Sequence, residues 1–201
     1  RLLECGLTGL LATLITCPEE QRRKALREVS LVARERKRPP FILGIYLEGP
    51  FLSPKRSGSH PKHLLMKPDM ELLMKWQEDA DGLIRMITIA PEIEGAMEFI
   101  PRLRKVGISP ALGHSDADHA TASRAFSNGC SHVTHFLNAM RPFSHRDPTA
   151  VSAVFESETP TIELIGDGIH VSPEIVRMVH RTLGPKRIAF ISDGVFPIGL
   201  K

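Results

Sequence analysis

The sequence predicts an α/β fold, an incomplete (β/α)8 barrel, and three observations carry that expectation. Short apolar runs alternate with helical patterns from end to end, and seven of the runs read as buried strands. Alternation repeated this often means a parallel sheet and comes close to the eight units of a closed barrel. No G-x-G-x-x-G and no G-x-x-x-x-G-K-[ST] follows any run, so the nucleotide signatures of the competing doubly wound open sheet are missing. The length of 201 residues suits one domain, residues 1–201, which can equally be part of a larger barrel.

The elements follow in chain order. The first run, "LTGLLATLIT" (7–16), leads into a helix after Pro18, with Ala25, Leu26, Val29 and Ala33 spaced for one buried face. "RERKR" (34–38) ends that helix, where cations complement the helix dipole; no aromatics interleave with it, which argues against nucleic-acid contact. "FILGIYL" (41–47), "IRMITIA" (84–90) and "ISPALGH" (108–114) are the next strands. Ser115 or Asp116 then opens a helix that Asn128-Gly129 closes. "CSHVTHF" (130–136) and "TIELIGDG" (161–168) follow, and a helix bracketed by Ser172, Pro173, Glu174 and Gly184 leads to "RIAFISDG" (187–194).

Composition narrows the class. Hydrophobic residues at 42% and charged ones at 24% describe an ordinary globular chain and exclude a tail or fibre. A net charge of +3 is too small to argue for a nucleic-acid or membrane partner. The longest apolar stretch is about half of what a membrane span requires. Cys5, Cys17 and Cys130 are odd in number and lack a C-x-x-C pair, so free thiols in a reducing compartment, the cytoplasm, are expected. The chain starts at Arg1 without Met or a signal-like segment and reads as beginning inside a protein.

The chemistry lies where the strands stop. The second ends in Glu48, the fourth in His114, the fifth in His135, the sixth in Asp167 with His170 just beyond, and the seventh in Asp193. In a (β/α)8 barrel these ends converge on the face that holds active sites. Singly, each has a plainer reading: a satisfied buried carboxylate, a helix-cap neighbour, a turn aspartate. His132 and His135 are three apart on one strand, so only one of them can point inward. Together, one Glu and two His form a common three-ligand set for a catalytic zinc, and an uncommitted carboxylate could serve as general base. The pattern points to metal-assisted hydrolysis.

The segments "YLEGPFLSPKRSGSHP", "LGHSDAD", "THFLNAM", "DGIHVSPE" and "ISDG" resemble, in order and spacing, the motifs of the N-acetylglucosamine-6-phosphate deacetylases of the amidohydrolase superfamily. L-E-G-P-F and T-H-x-x-N-A-M are the most specific pieces. The resemblance implies hydrolysis of the N-acetyl group of N-acetylglucosamine 6-phosphate, to glucosamine 6-phosphate and acetate, in amino-sugar catabolism. It implies that Glu48, His114 and His135 hold one divalent metal, zinc being favoured over iron, cobalt or manganese, and it selects His135 over His132. Asp193 matches the catalytic aspartate that takes a proton from the attacking water and passes it to the leaving amine. His60 matches a loop histidine that contacts substrate and polarises the amide carbonyl. Asn138, Ala139 and His170 match substrate contacts. Arg146 matches a phosphate-binding arginine that reaches the neighbouring subunit's site, which implies a homodimer; no nucleic acid or membrane is expected.

The family pattern is not complete here. Its H-x-H pair on the first barrel strand and its small β-sandwich have no counterpart, so the chain reads as strand two to strand seven or eight, with at most one metal held. Thr149 stands where the family often has Gly, and Gly194 where Ala is more usual. The alternatives are an amidohydrolase acting on another amide or cyclic amide, or a catalytically incompetent fragment or isoform that acts as a binding module.

Overall fold

The computed structural model of the chain describes residues 3–4 and 6–194. Seven parallel strands form one sheet in sequence order: β1 (Gly9–Ile15), β2 (Phe41–Glu48), β3 (Ile84–Ile89), β4 (Ser109–Leu112), β5 (His132–Val133), β6 (Thr161–Ile165) and β7 (Ile188–Ile191). Helices connect them: α1 (Glu19–Glu35), α2 (Met70–Asp79), α3 (Ala96–Lys105), α4 (His119–Ser127), α5 (Ala150–Glu156) and α6 (Pro173–Leu183). The sheet curls. Tyr46 on β2 meets Thr134, just past β5, at 2.7 Å, although three strand spacings in a flat sheet would separate them by about 14 Å. This is the incomplete barrel that the strand-helix alternation predicts.

Period-two alternation divides each strand between two cores. Ile45, Leu47, Ile87, Ile89, Leu112, Val133, Ile162 and Leu164 face outward and pack against helix residues such as Leu26, Leu73, Trp76, Phe99 and Val154. Tyr46, Met86 and Ala111 gather on the inside with Leu11. Glu48, two residues beyond Tyr46, therefore emerges on the inner side at the strand's end.

Inside, three hydroxyls close a ring: Thr88 Oγ1 donates to Tyr46 Oη at 3.1 Å, and Thr134 Oγ1 lies 2.7 Å from Tyr46 Oη and 3.0 Å from Thr88 Oγ1. Gly113 borders this ring. A Cβ there would sit 2.7 Å from Thr134 Cβ and 2.8 Å from Thr88 Cγ2, so only glycine fits before His114.

The helix ends show where local reading and tertiary context part. α6 is bracketed by Ser172, Pro173 and Gly184 as expected. α1 buries Leu26 and half-buries Ala25, Val29 and Ala33 as expected, and adds Arg22, whose guanidinium stacks 4.4 Å over Trp76. α4 is capped by Asp118, which accepts from Thr121 N at 2.8 Å. Ser115 and Asp116, expected as caps, are instead engaged by Glu92, Lys55 and Arg56. β5 is two residues long, against an expected run of 130–136, because the chain turns into left-handed backbone at His135. Thr149, the departure from the family's glycine, is buried and caps α5 through a reciprocal bond pair with Ser152. No helix among the described residues is long and apolar enough to cross a membrane.

Candidate metal centre

Glu48, His114 and His135 are each at most 8% exposed and meet at the carboxyl ends of β2, β4 and β5. His114 Nε2 lies 2.9 Å and His135 Nε2 3.0 Å from Glu48 Oε1, and the two nitrogens are 3.0 Å apart. Three ligand-type atoms thus form a nearly equilateral triangle. Tetrahedral zinc with bonds of about 2.0–2.1 Å needs donor-donor edges of about 3.3 Å, so a small outward shift would accommodate a cation. His135 Nδ1 is buried and has no hydrogen-bond partner among the described residues, so a ring given wholly over to hydrogen bonding would leave one nitrogen wasted. The donor set fits a divalent metal.

The backbone is bent to make this triangle. Among the described non-glycine residues six have positive φ, and five of these are His114 (46°), His135 (26°), Leu137, Ala139 and Asp193 (48°), all at strand ends on this face. Such conformations cost free energy and persist where the surroundings over-determine them. Gly49, at φ 93°, carries the chain away from Glu48, and a Cβ there would lie 2.3 Å from Thr16 Oγ1. Thr16 Oγ1 in turn lies 3.4 Å from the Glu48 carbonyl oxygen.

Electrostatics favours an ionised Glu48. Burial works against its charge, but the facing imidazoles of His114, His135 and His60 outweigh it and hold the carboxyl well below the usual carboxylate range. Burial likewise lowers the pKa of His135, but Glu48 outweighs it and the net shift is upward, with Asp193 adding to it. Burial pushes Glu163, on β6, up to about 7; its carboxylate accepts from the His135 amide at 3.4 Å.

His60 is 5% exposed, beside the triangle, with Nε2 3.6 Å from Glu48 Oε1 and its ring edge-on to His114 at 4.5 Å. Thr16 N donates to His60 Nδ1 at 3.3 Å and Thr16 Oγ1 lies 2.8 Å from it. His114 is held oppositely, its Nδ1 donating to the Arg56 carbonyl at 2.9 Å. Asp193 is exposed, and its charge acts on His135 and Glu163. Asn138 is half-buried, its amide donating to the His135 carbonyl at 3.2 Å, and Ala139 is its left-handed neighbour. Arg146 and His170 are exposed with local bonds: Arg146 N donates to Ser144 Oγ, and His170 Nδ1 pairs with Asp167 at 2.7 Å. His132 is half-buried beside Ser131, outside the triangle.

Thr16, Arg56, Glu92 and Glu163 touch this constellation without having been singled out by sequence. Thr16 and Glu163 left a trace, a polar residue ending one apolar run and a charge inside another. Arg56 acts through its carbonyl, which no sequence pattern reveals.

No protein-family model matches the chain. An N-acetylglucosamine-6-phosphate deacetylase of Bacillus subtilis is 40% identical to it over 210 residues, covering 100% of this chain and 52% of that protein. The N-acetyl-D-glucosamine-6-phosphate deacetylase of Mycobacterium smegmatis superposes with a TM-score of 0.90 at 36% identity, over 96% of this chain and 50% of the other. An Asp-to-Ala mutant of that enzyme, solved in complex with N-acetyl-D-glucosamine-6-phosphate, superposes with the same TM-score of 0.90 at 35% identity. The chain spans about half the length of the relatives it matches. The N-acetylglucosamine-6-phosphate deacetylase of Bos taurus is likewise similar to it, 36% identical over 100% of this chain and 50% of that protein.

Proposed function

We propose that the protein to which this chain belongs removes the acetyl group from N-acetylglucosamine 6-phosphate, releasing glucosamine 6-phosphate and acetate, and that residues 1–201 supply a metal-dependent amidohydrolase barrel domain. The observation that carries this is the triangle of Glu48, His114 and His135 donor atoms at 2.9–3.0 Å on the strand-end face. In this reading those three hold one divalent ion, zinc, whose ligand preferences match two imidazoles and a carboxylate. Bound there, it would supply Lewis acidity toward water and the amide carbonyl.

The remaining roles fall to the chain's own groups. The Thr16 amide can only donate, so His60 Nδ1 accepts and Nε2 carries the ring proton of the neutral imidazole. That N–H faces the site and would stabilise negative charge on the amide oxygen as it develops. Asp193, not engaged by the triangle, would accept the proton of the attacking water and return it to the leaving amine. Asn138, Ala139 and His170 would contact the sugar phosphate. Arg146, exposed on its loop, would reach the phosphate in a neighbouring subunit's site and make the active form a homodimer. Free Cys17 and Cys130 are consistent with a cytoplasmic location, while Cys5 lies outside the described residues.

The test pairs metal content with acetate release from N-acetylglucosamine 6-phosphate, for the complete protein and a Glu48→Gln variant. One metal with turnover, both lost in the variant, is expected. Acetate release that persists without metal would overturn the assignment.

A further inference from the structure

β3 is the one strand between β2 and β5 whose end contributes no candidate ligand, yet it places a carboxylate on the turn that carries His114. Glu92 lies three residues beyond Ile89, the last residue of β3, and Ile89 is in register with Leu112 of β4. The side chain therefore leans over the next loop. Its Oε2 accepts from Ser115 Oγ at 2.7 Å and its Oε1 from the Asp116 amide at 2.6 Å. These are the two residues that follow His114. We propose that Glu92 is a positioning residue for the metal centre, holding the 113–118 turn so that His114 Nε2 stays aimed at the cation site.

The need for a clamp is local. His114 occupies left-handed backbone at φ 46°, which an L-residue adopts only under constraint. The clamp also closes a circuit. Asp116, held by Glu92 at its amide, binds the Arg56 guanidinium through its carboxylate at 2.8 Å. Arg56 presents its carbonyl to His114 Nδ1 at 2.9 Å, which leaves Nε2 as the lone-pair nitrogen. Ser115 is fully buried and tied on every side: its backbone bonds to Ala139 and Arg141, and its hydroxyl receives Ala117 N at 3.0 Å. Releasing Glu92 would loosen the imidazole both through its own backbone and through the carbonyl that fixes its tautomer.

The proposal rests on the metal-centre reading above, and its test separates the two. The complete protein and its Glu92→Ala, Glu92→Gln and Ser115→Ala variants are titrated with cobalt(II) against a competing chelator. The visible d–d bands report ligand geometry, and thermal unfolding of the metal-free forms reports stability. Glu92→Ala is expected to weaken cobalt affinity about 10- to 100-fold, the usual cost of losing an outer partner of a metal ligand, and to alter the d–d bands. Glu92→Gln keeps one acceptor oxygen and is expected to recover part of the affinity; Ser115→Ala, losing one of the two bonds, is expected to lie between. If Glu92→Ala lowers only the unfolding temperature while binding cobalt with parental affinity and spectrum, Glu92 is merely structural and the proposal is wrong. If Glu92→Ala does not fold, parental cobalt binding by both other variants overturns it equally. Should the parent protein take up no cobalt, the metal centre itself is refuted and the positioning role falls with it.

Discussion

His60 and His114 lie edge to face, 4.5 Å apart, and both turn Nε2 toward Glu48, but they are opposite reagents. His114 gives its Nδ1 proton to a carbonyl, so its Nε2 is an electron-pair donor. His60 receives a backbone amide at Nδ1, so its Nε2 keeps the proton and donates it. One backbone bond apiece decides which imidazole suits a metal and which suits an oxyanion. His135 is a third case, with Nε2 in the triangle and no hydrogen-bond partner at Nδ1 among the described residues. Its orientation rests on its backbone, which Glu163 and the left-handed turn hold.

The comparison can be broken most severely at His114. His114→Ala removes a proposed ligand and is expected to weaken metal affinity by more than the about 100-fold typical of an outer partner, with acetate release falling in step; metal analysis after dialysis checks this. His60→Ala is expected to keep the metal and lose about 10²- to 10³-fold in kcat, as when one oxyanion donor is removed. Loss of metal in that variant would mean that both rings are ligands and that the contrast is false.

Glu163 probes the third histidine through pH. Burial raises its pKa from 4.5 to about 7, so the folded protein holds this proton more tightly than the unfolded chain does. The stability of the metal-free protein should therefore fall as pH rises through that interval. Glu163→Gln is expected to flatten the fall, recovering on the order of 3 kcal/mol above pH 7 in denaturant titrations. Glu48 has the opposite sign: its depressed pKa stabilises the fold above the ordinary carboxylate range, and that contribution is lost on acidification. The smallest effect belongs to Thr16→Val. It removes the hydroxyl 2.8 Å from His60 Nδ1 but keeps the amide that sets the tautomer, so a loss of about 1 kcal/mol, roughly fivefold in kcat, is expected.

Each of the seven strands was legible because its apolar run is short and bounded by turn residues, but the expected burial holds only for the inner five: β1 and β7, at the two edges of the sheet, contain no buried residue. Glu48 and His114 were legible because barrel topology turns strand ends into neighbours in space, whereas His135 was separated from His132 only by the resemblance of T-H-x-x-N-A-M to a family motif. What escaped depends on partners distant in sequence. Asp118 rather than Asp116 caps α4 because Arg56, 60 residues earlier, already holds Asp116. The His60 tautomer depends on Thr16, 44 residues away. Glu92 carries no signal in the sequence, because the role proposed for it exists only once β3 and β4 lie side by side.

The ring of Tyr46, Thr88 and Thr134 has one more consequence. Thr88 gives its hydrogen to Tyr46, which leaves Tyr46 to give to Thr134 and Thr134 to Thr88. Three hydrogens circulate among three oxygens, and none is left over to offer upward. The plug beneath the strand ends is polar in composition yet silent as a donor. A hydrogen bond sent upward from these hydroxyls, toward the rim where His60 and Asp193 stand, would have to break one bond of the ring.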